Sequence, residues 1–472
     1  MPRPATLAPC APERVPALDG IAPADAADAF RDLPGLAPLE SARSGRAGRW
    51  SFLAADPVAV LEGSSPGDDP FAGARAALAR LDRSPSPPGA PPFAGGLVGH
   101  LGYDLGRRLV GLPAAAAGDQ GLPDLRLGLH AWAIAWDGRD GRAWLSGRAV
   151  DGDVTGLAQA LAGVRARAER AVRVPLRGAS PVERPVFRSE IDRAAWTTQV
   201  EAVREAIAAG ELYQANLTRR LAAPFAGEPW SIFLRLREGE PAAFTAYLDL
   251  GREPVTGARR AIVSASPEPF LALDAAGGVR TDPIKGTRPR GRTRAEDRAL
   301  AAELLASAKD RAENTMIVDV LRNDLGRVCR PGSVRVPRLW RLERTPSVLH
   351  LVSSVTGRLA PGRDAFDLLA ASFPGGSITG APKIRAMELI ESLEPVRRGP
   401  YCGAALWVDA AGAMGSSILI RTFVADGRRL TLHVGGGITW RSDPAAEWEE
   451  TRTKARGPLR AIGATVEGEE EW

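Results

Sequence analysis

In the stretch SDPAAEWEETRTKA, Ser442 to Ala455, a helix turning about 100° per residue would put Glu447, Glu450 and Lys454 within about 60° of one another, with Glu449 pointing the opposite way. Two carboxylates one turn apart, with a lysine on the same face, can hold a hard divalent cation and an anionic ligand together. Mg²⁺ typically takes one or two carboxylates plus water and substrate oxygens. A solvated helix face with i,i+4 pairing has the same spacing, so this motif decides nothing alone. FPGGSITGAPKIRAMELIESLE, Phe373 to Glu394, reads as a glycine-rich loop feeding a helix, with Pro382 in the first turn and Ala386, Ile390 and Leu393 as its apolar stripe. The backbone N–H groups around Gly376, with the Ser377 and Thr379 hydroxyls, would make an anion cradle, although an ordinary helix cap reads the same way. Arg421 interrupts the apolar run SILIRTF, where a buried guanidinium needs an anion to face. Gly435, Gly436 and Gly437 in HVGGGITW leave a backbone segment bare of side chains.

Four single residues stand out beside these motifs. Glu313 precedes an apolar helical run in AENTMIVDVLRNDLGRV, where an unpaired carboxylate is costly. Glu268 in SPEPF stands just before a strand, and His350 in LHLVSS sits among apolar residues, where a hydrogen-bonded core histidine is the commoner reading. Lys285 in TDPIKGTRPRGRT lies at a strand end running into a basic turn; by itself it reads as a solvated surface lysine. There is no GxSxG, HExxH, Walker A or post-strand GxGxxG motif. The set as a whole asks for a small polyanionic substrate whose leaving group needs Mg²⁺.

Composition narrows the class. The net charge of +5 arises from interspersed Arg and Asp/Glu without aromatic–basic interleaving, so a small anionic substrate is expected and nucleic acid is not. Cys10, Cys329 and Cys402 lie far apart and suggest neither a disulfide framework nor a zinc site. No run approaches about 20 apolar residues and the N-terminus lacks a signal-type segment, so a soluble cytoplasmic protein without membrane contact is expected.

The elements that must position these residues follow from periodicity. Strands are expected in FAGGLVGHLGYD, in a hairpin around DGRDG, and in LYQANLTRRL, AAFTAYLDL, RRAIVSASPEPFLAL, SVLHLVSSVTGRL, YCGAALWVD, SILIRTFVAD and RLTLHVGGGITW. Helices are expected over TGLAQALAGVRARAERAV, around Trp196, Val200, Val203 and Ile207, across a long stretch from Arg294 to Leu325, after GAPK, and near the C-terminus. A polar, proline-bearing link, VPLRGASPVERPVF, separates an N-terminal region, 1–184, from the remainder, 185–472. The mixture predicts an α+β fold with antiparallel sheets.

ELYQANLTRR, PIKGTRPRG, AENTMIVDVLRNDLG, FPGGSITGAPK, YCGAALW, SILIRT, GGGIT and SDPAAEWEETRTKA occur in the order found in the chorismate-utilising enzymes, and the chain from about Thr197 to Ile462 resembles that family throughout. The N-terminal third, with LESARSGRAGRW and GGLVGHLGYDLGR, is similar to the first region of anthranilate synthase component I-like members. The resemblance implies two facing antiparallel sheets flanked by helices, with the active site in a cleft. It also implies Glu313, Glu447 and Glu450 as Mg²⁺ ligands, and chorismate-carboxylate contacts from Arg421, Lys454, Tyr401, Gly435–Gly437 and the backbone from Gly376 through Ser377 to Thr379. His350 and Thr287 match polar groups near the ring, and Glu268 the family acid/base.

Two positions discriminate within the family. Isochorismate and salicylate synthases carry a lysine where this chain has Gln214, so water activation is not expected and ammonia is. Anthranilate synthases usually read PIAGT where this chain reads PIKGT; the lysine form resembles the aminodeoxychorismate synthases of folate and p-aminobenzoate synthesis, where it attacks C2 of chorismate. A free lysine is only about one part in a thousand neutral at pH ~7.5, a handicap of roughly 4 kcal/mol, so burial or a neighbouring base must activate it. No glutaminase-type cysteine motif appears, and a separate glutamine amidotransferase subunit is the expected ammonia source. Glu40 and Ser41 in LESA, with Pro241 and Phe244 in EPAAFTAYL, resemble the family's tryptophan pocket, although Pro38 stands where a second leucine is common.

Overall fold

The computed structural model describes residues 11–41, 48–63, 69–113, 115–171, 184–345 and 348–469. Most of the link expected between the two regions, and part of LESARSGRAGRW, lie outside the described residues.

Strand-forming runs rich in Val, Leu, Ile and aromatic residues assemble into two large sheets, of 13 and 10 strands among the described residues. The pairings are antiparallel except for a short parallel contact between Thr465–Val466 and Val186–Phe187. The fold is α+β, two sheets flanked by helices. Strands from both sides of residue 185 enter each sheet: Ala37–Glu40 pairs with Phe244–Arg252 in the larger one, and Gly96–Leu101 pairs with Ala404–Asp409 in the smaller. Phe52, Phe93, Val98, Ala246, Leu248, Ile262 and Leu419 belong to one buried cluster drawn from both sheets. Two larger clusters bury the outer faces beneath helices, one including Phe233 and Leu459, the other Ile317, Leu321, Phe366 and Leu369.

Two neighbouring strands pass between the sheets together. Arg259–Ser266 lies in the larger sheet and Pro269–Leu273 in the smaller, with Glu268 at the passage. Met414–Ile418 and Thr422–Ala425 run back the other way, with Arg421 at theirs. The ladder continues across the seam: Ala265 N–H donates to the Arg421 carbonyl at 3.1 Å, and Ile418 N–H to the Glu268 carbonyl at 3.1 Å.

Three local expectations change. Arg421 is not inside a strand but at this break, with φ of 50°. The long helix is two, Arg294–Ala306 and Ala308–Gly326, because the Ser307 side chain accepts from Asp310 N–H and starts a new helix. Pro382 caps the Lys383–Leu393 helix instead of occupying its first turn.

Candidate active site

Lys285 lies on the Ile284–Pro289 strand, followed by Gly286 at φ of 84°, a conformation that favours glycine. The register against Val348–Arg358 shifts between Ile284 and Thr287, a bulge of the kind that re-aims side chains. The Lys285 ammonium donates to the Ser377 carbonyl at 3.1 Å and lies 3.2 Å from Glu313 Oε1. Glu313 projects from the Ala308–Gly326 helix, so its carboxylate is paired, as its place before an apolar run requires.

The other acids gather around the bare glycine backbone. A Cβ at Gly436 would stand 3.3 Å from Glu447 Oε2 and 3.4 Å from Glu450 Oε1. At Gly437 it would stand 3.2 Å from Glu313 Oε1 and 2.3 Å from Gln214 Nε2. Glu447, Glu450 and Lys454 share one face of the Pro444–Ile462 helix, as their spacing predicts, whereas Glu449 is turned to Arg452. Lys454 bonds the Gly435 carbonyl at 2.8 Å and Glu450 at 2.7 Å. Glu447 accepts from Ser442 Oγ at 2.6 Å.

The electrostatics separate these carboxyls. Burial pushes Glu268 upward against the pull of Lys285 and of a hydrogen bond from Ser377. Burial likewise raises Glu447, and the neighbouring Glu450 charge adds to the effect. Glu450 is itself held low, because Lys454 outweighs its burial. For Lys285, burial favours the neutral amine, but the Glu313 and Glu268 charges outweigh it and hold the pKa above the ordinary lysine value. Without ligand, Lys285 is therefore an ammonium, and its conversion to a nucleophile needs a proton acceptor and relief from Glu313.

The remaining expected residues are placed as follows. Thr287 Oγ1 and His350 Nδ1 share a hydrogen bond of 2.9 Å, two residues along from Lys285. The Thr379 hydroxyl turns back to the Gly375 carbonyl at 3.0 Å, while its own carbonyl accepts from Asn216 N–H. Tyr401 is buried, its ring stacked on His433 at 5.0 Å. Arg421 stands apart from the carboxylate group, 39% exposed and 3.8 Å from Glu240. A Cβ at Gly457, one helical turn beyond Lys454, would strike Glu240 Oε1, which places Arg421 on the same side of that helix. Glu40 is ion-paired with Arg237 at 2.6 Å. With Ser41 and Phe244 it lines a cavity of about 660 Å³ between the sheets, whereas Pro241 is not among its lining residues.

Sequence reasoning missed three contributors. Ser442 could have been found, since it opens the SDP cap just before Glu447. Lys309, whose charge acts on both Glu447 and Glu450, left no local signal. Lys383 bonds Asp324 at 2.7 Å and the Ser372 carbonyl at 2.8 Å, so one ammonium pins both ends of the glycine loop against the helix that carries Glu313. Gln214 is 1% exposed, and neither its Oε1 nor its Nε2 has a hydrogen-bond partner among the described residues. A buried amide left unsatisfied in this way is poised for a ligand.

Among the described residues no three His, Cys, Asp or Glu side chains form a ready-made metal site. Mg²⁺ does not require one, and the oxygen-only donors converging on the Gly436–Gly437 backbone are chemically suited to it.

The family model described as chorismate binding enzyme matches residues 40–460. Aminodeoxychorismate synthase component 1 of Salmonella typhimurium is 41% identical over 428 residues, covering 88% of this chain and 90% of the relative. Anthranilate synthase component 1 of Streptomyces coelicolor is 41% identical over 432 residues, covering 89% and 82%. The crystal structure of anthranilate synthase component I from Streptococcus pneumoniae superposes with a TM-score of 0.77 at 29% identity, over 89% of this chain and 94% of that one.

Proposed function

Since the chain belongs to the chorismate-binding enzymes, we propose that this chorismate-utilising enzyme makes 4-amino-4-deoxychorismate from chorismate and ammonia, with Lys285 as covalent nucleophile. The observation that carries the reading is a half-buried lysine 3.2 Å from one carboxylate and electrostatically coupled to a second, Glu268, whose pKa is raised. Two relatives of equal identity carry different names, so the choice between products rests on position 285.

The steps balance as follows. Glu268 takes a proton from the Lys285 ammonium and passes it to the C4 hydroxyl; the neutral Lys285 forms the C2–N bond, the two ring double bonds shift, and the C4–O bond breaks to release water. Ammonia then bonds at C4, the double bonds shift back as the C2–N bond breaks, and a proton of the new C4 ammonium returns to Lys285, so that chorismate and ammonia give the amino product and water. Lys454, Arg421 and the Gly376–Thr379 backbone neutralise the substrate carboxylates, and Thr287 and His350 face the ring. Gln214 offers an amide donor and acceptor where a general base for water would stand. Glu447, Glu450 and Glu313 would hold Mg²⁺, directly or through water, and the ion when bound would supply positive charge to the substrate's carboxylate oxygens and compete with Lys285 for Glu313.

Ammonia comes from a separate glutamine amidotransferase subunit; the two described cysteines, Cys329 and Cys402, are both buried. The 660 Å³ cavity takes a bound tryptophan, since its size is that of an ordinary ligand pocket and Trp50, Phe244 and Trp407 line it beside Glu40. No helix among the described residues is long and apolar enough to cross a membrane; catalysis in the cytoplasm is part of the same proposal.

The test is to incubate the purified chain with chorismate, Mg²⁺ and concentrated ammonium, and identify products by liquid chromatography and mass spectrometry. Accumulation of 4-amino-4-deoxychorismate, converted to p-aminobenzoate only when a lyase is added, is expected, and Lys285→Ala should abolish most of it. Fluorescent anthranilate as the main product would replace this reading with anthranilate synthesis.

A further inference from the structure

The chain's positive surplus is concentrated in one place. Residues 284–344 hold 15 Lys/Arg against 8 Asp/Glu, a surplus of 7, where the whole chain has 61 against 56, a surplus of 5. Part of this charge lies on the Arg335–Arg344 strand, which pairs with Val348–Arg358 and with no other strand among the described residues. Val348–Arg358 also pairs with the strand carrying Lys285, so a single strand separates this edge from the catalytic lysine.

The arginines at 335, 338 and 341 are three residues apart, a spacing that in a regular strand would alternate their faces. Here the register prevents that. Arg335 pairs with Thr356, Arg338 with Ser354 and Arg341 with Val352, with a shift in each interval. Two bulges, each setting three residues against two, bring all three arginines to one face, the face on which His350 meets Thr287. The partner positions span roughly 14 Å at about 3.4 Å per residue. None of the three arginines makes an ion pair with an acidic side chain among the described residues. Leu339, between them, is 43% exposed. Beyond the row Glu343 pairs with His350 on the same face, whereas Arg344 pairs with Leu349 and turns to the opposite face, 4.0 Å from Asp297 of the Arg294–Ala306 helix.

Charged residues and a proline such as Pro337 also protect a sheet edge from pairing with other chains. That purpose needs no common face, and each bulge gives up ladder hydrogen bonds to create one. A small substrate would need one or two cations, not a row this long. We propose that Arg335, Arg338 and Arg341 form the docking surface for an acidic face of the ammonia-supplying amidotransferase subunit, placing its outlet beside the Lys285 cleft. This inference rests on the function proposed above and extends it to the partner.

The experiment compares wild type with Arg335→Glu/Arg338→Glu/Arg341→Glu and with the corresponding triple Lys variant, using the amidotransferase subunit of the same organism. Affinity is measured at low and at about 0.3 M salt, and turnover with glutamine and with ammonium separately. The Glu variant should bind the partner at least about tenfold more weakly, lose most of its salt dependence and lose glutamine-dependent turnover in proportion. Its ammonium-dependent kcat/KM should stay within about twofold of wild type, which also certifies its fold, and the Lys variant should retain affinity. Unchanged affinity in the Glu variant would overturn the assignment. A parallel fall in ammonium-dependent kcat/KM for chorismate would overturn it too, making the row a substrate guide. If wild type makes no aminodeoxychorismate from ammonium, the catalytic reading fails, while the affinities still decide the docking surface.

Discussion

At the scale of single residues, the site is organised by burial and charged partners pulling its titratable groups in opposite directions. Glu268 has its pKa raised by burial. Its neutral form therefore sits in the folded protein without penalty below the unfolded value near 4.5, and stability is lost as pH rises from there through the folded pKa. Glu268→Gln carries no such penalty. Its melting temperature relative to wild type should climb between pH 4.5 and 7.5, while turnover falls about 10²–10⁴-fold. Thermal melts at the two pH values decide this, and an equal offset at both would remove burial as the cause. Lys285, held charged by Glu313 and Glu268, should give a rate that rises with pH into the alkaline range. A pH profile of kcat/KM that is flat above neutrality would show that the lysine is not the group being deprotonated.

Among the elements, the glycine loop depends on one ion pair. Lys383 and Asp324 are nearly buried, and the ammonium also caps the Ser372 carbonyl. Lys383→Ala strands a buried carboxylate and should cost about 3–5 kcal/mol, whereas replacing both partners, Lys383→Met with Asp324→Leu, should recover most of that loss. Urea titrations of the three proteins provide the comparison; a double variant no better than the single would assign the cost to packing. Much at this scale was legible beforehand. Trp196, Val200 and Val203 do form the buried face of the Arg193–Ala208 helix, and Glu447, Glu450 and Lys454 share a face because three- and four-residue steps bring side chains together on any helix. Arg421 misled because SILIRTF is apolar on both sides of the position where the chain leaves one sheet for the other, and period-two patterning does not register such a passage. Glu313's pairing with Lys285 was equally hidden, since it joins a helix to a strand 28 positions away.

For the whole molecule, the sheets draw strands from both the 1–184 and 185–472 regions. A fragment beginning at residue 185 would expose the edge of Phe244–Arg252 that Ala37–Glu40 covers, and strip Gly96–Leu101 from Ala404–Asp409. Such a fragment expressed alone should aggregate, and co-expression with 11–171 should restore soluble protein. Light scattering reads the outcome, and a monomeric, cooperatively melting fragment would contradict it. Local patterning announces strands but not their partners, which is why this interleaving could not be read from the sequence.

The paired passage of strands between the sheets has a mechanical consequence. Glu268 and Arg421 are mounted on the two members of one seam, stitched together by backbone hydrogen bonds on either side. Like two teeth on a single zipper slider, they can be moved apart only by a motion that also changes the angle between the layers. The acid and the cation are therefore calibrated by the architecture itself, and a distant substitution that tilts one sheet would detune both together.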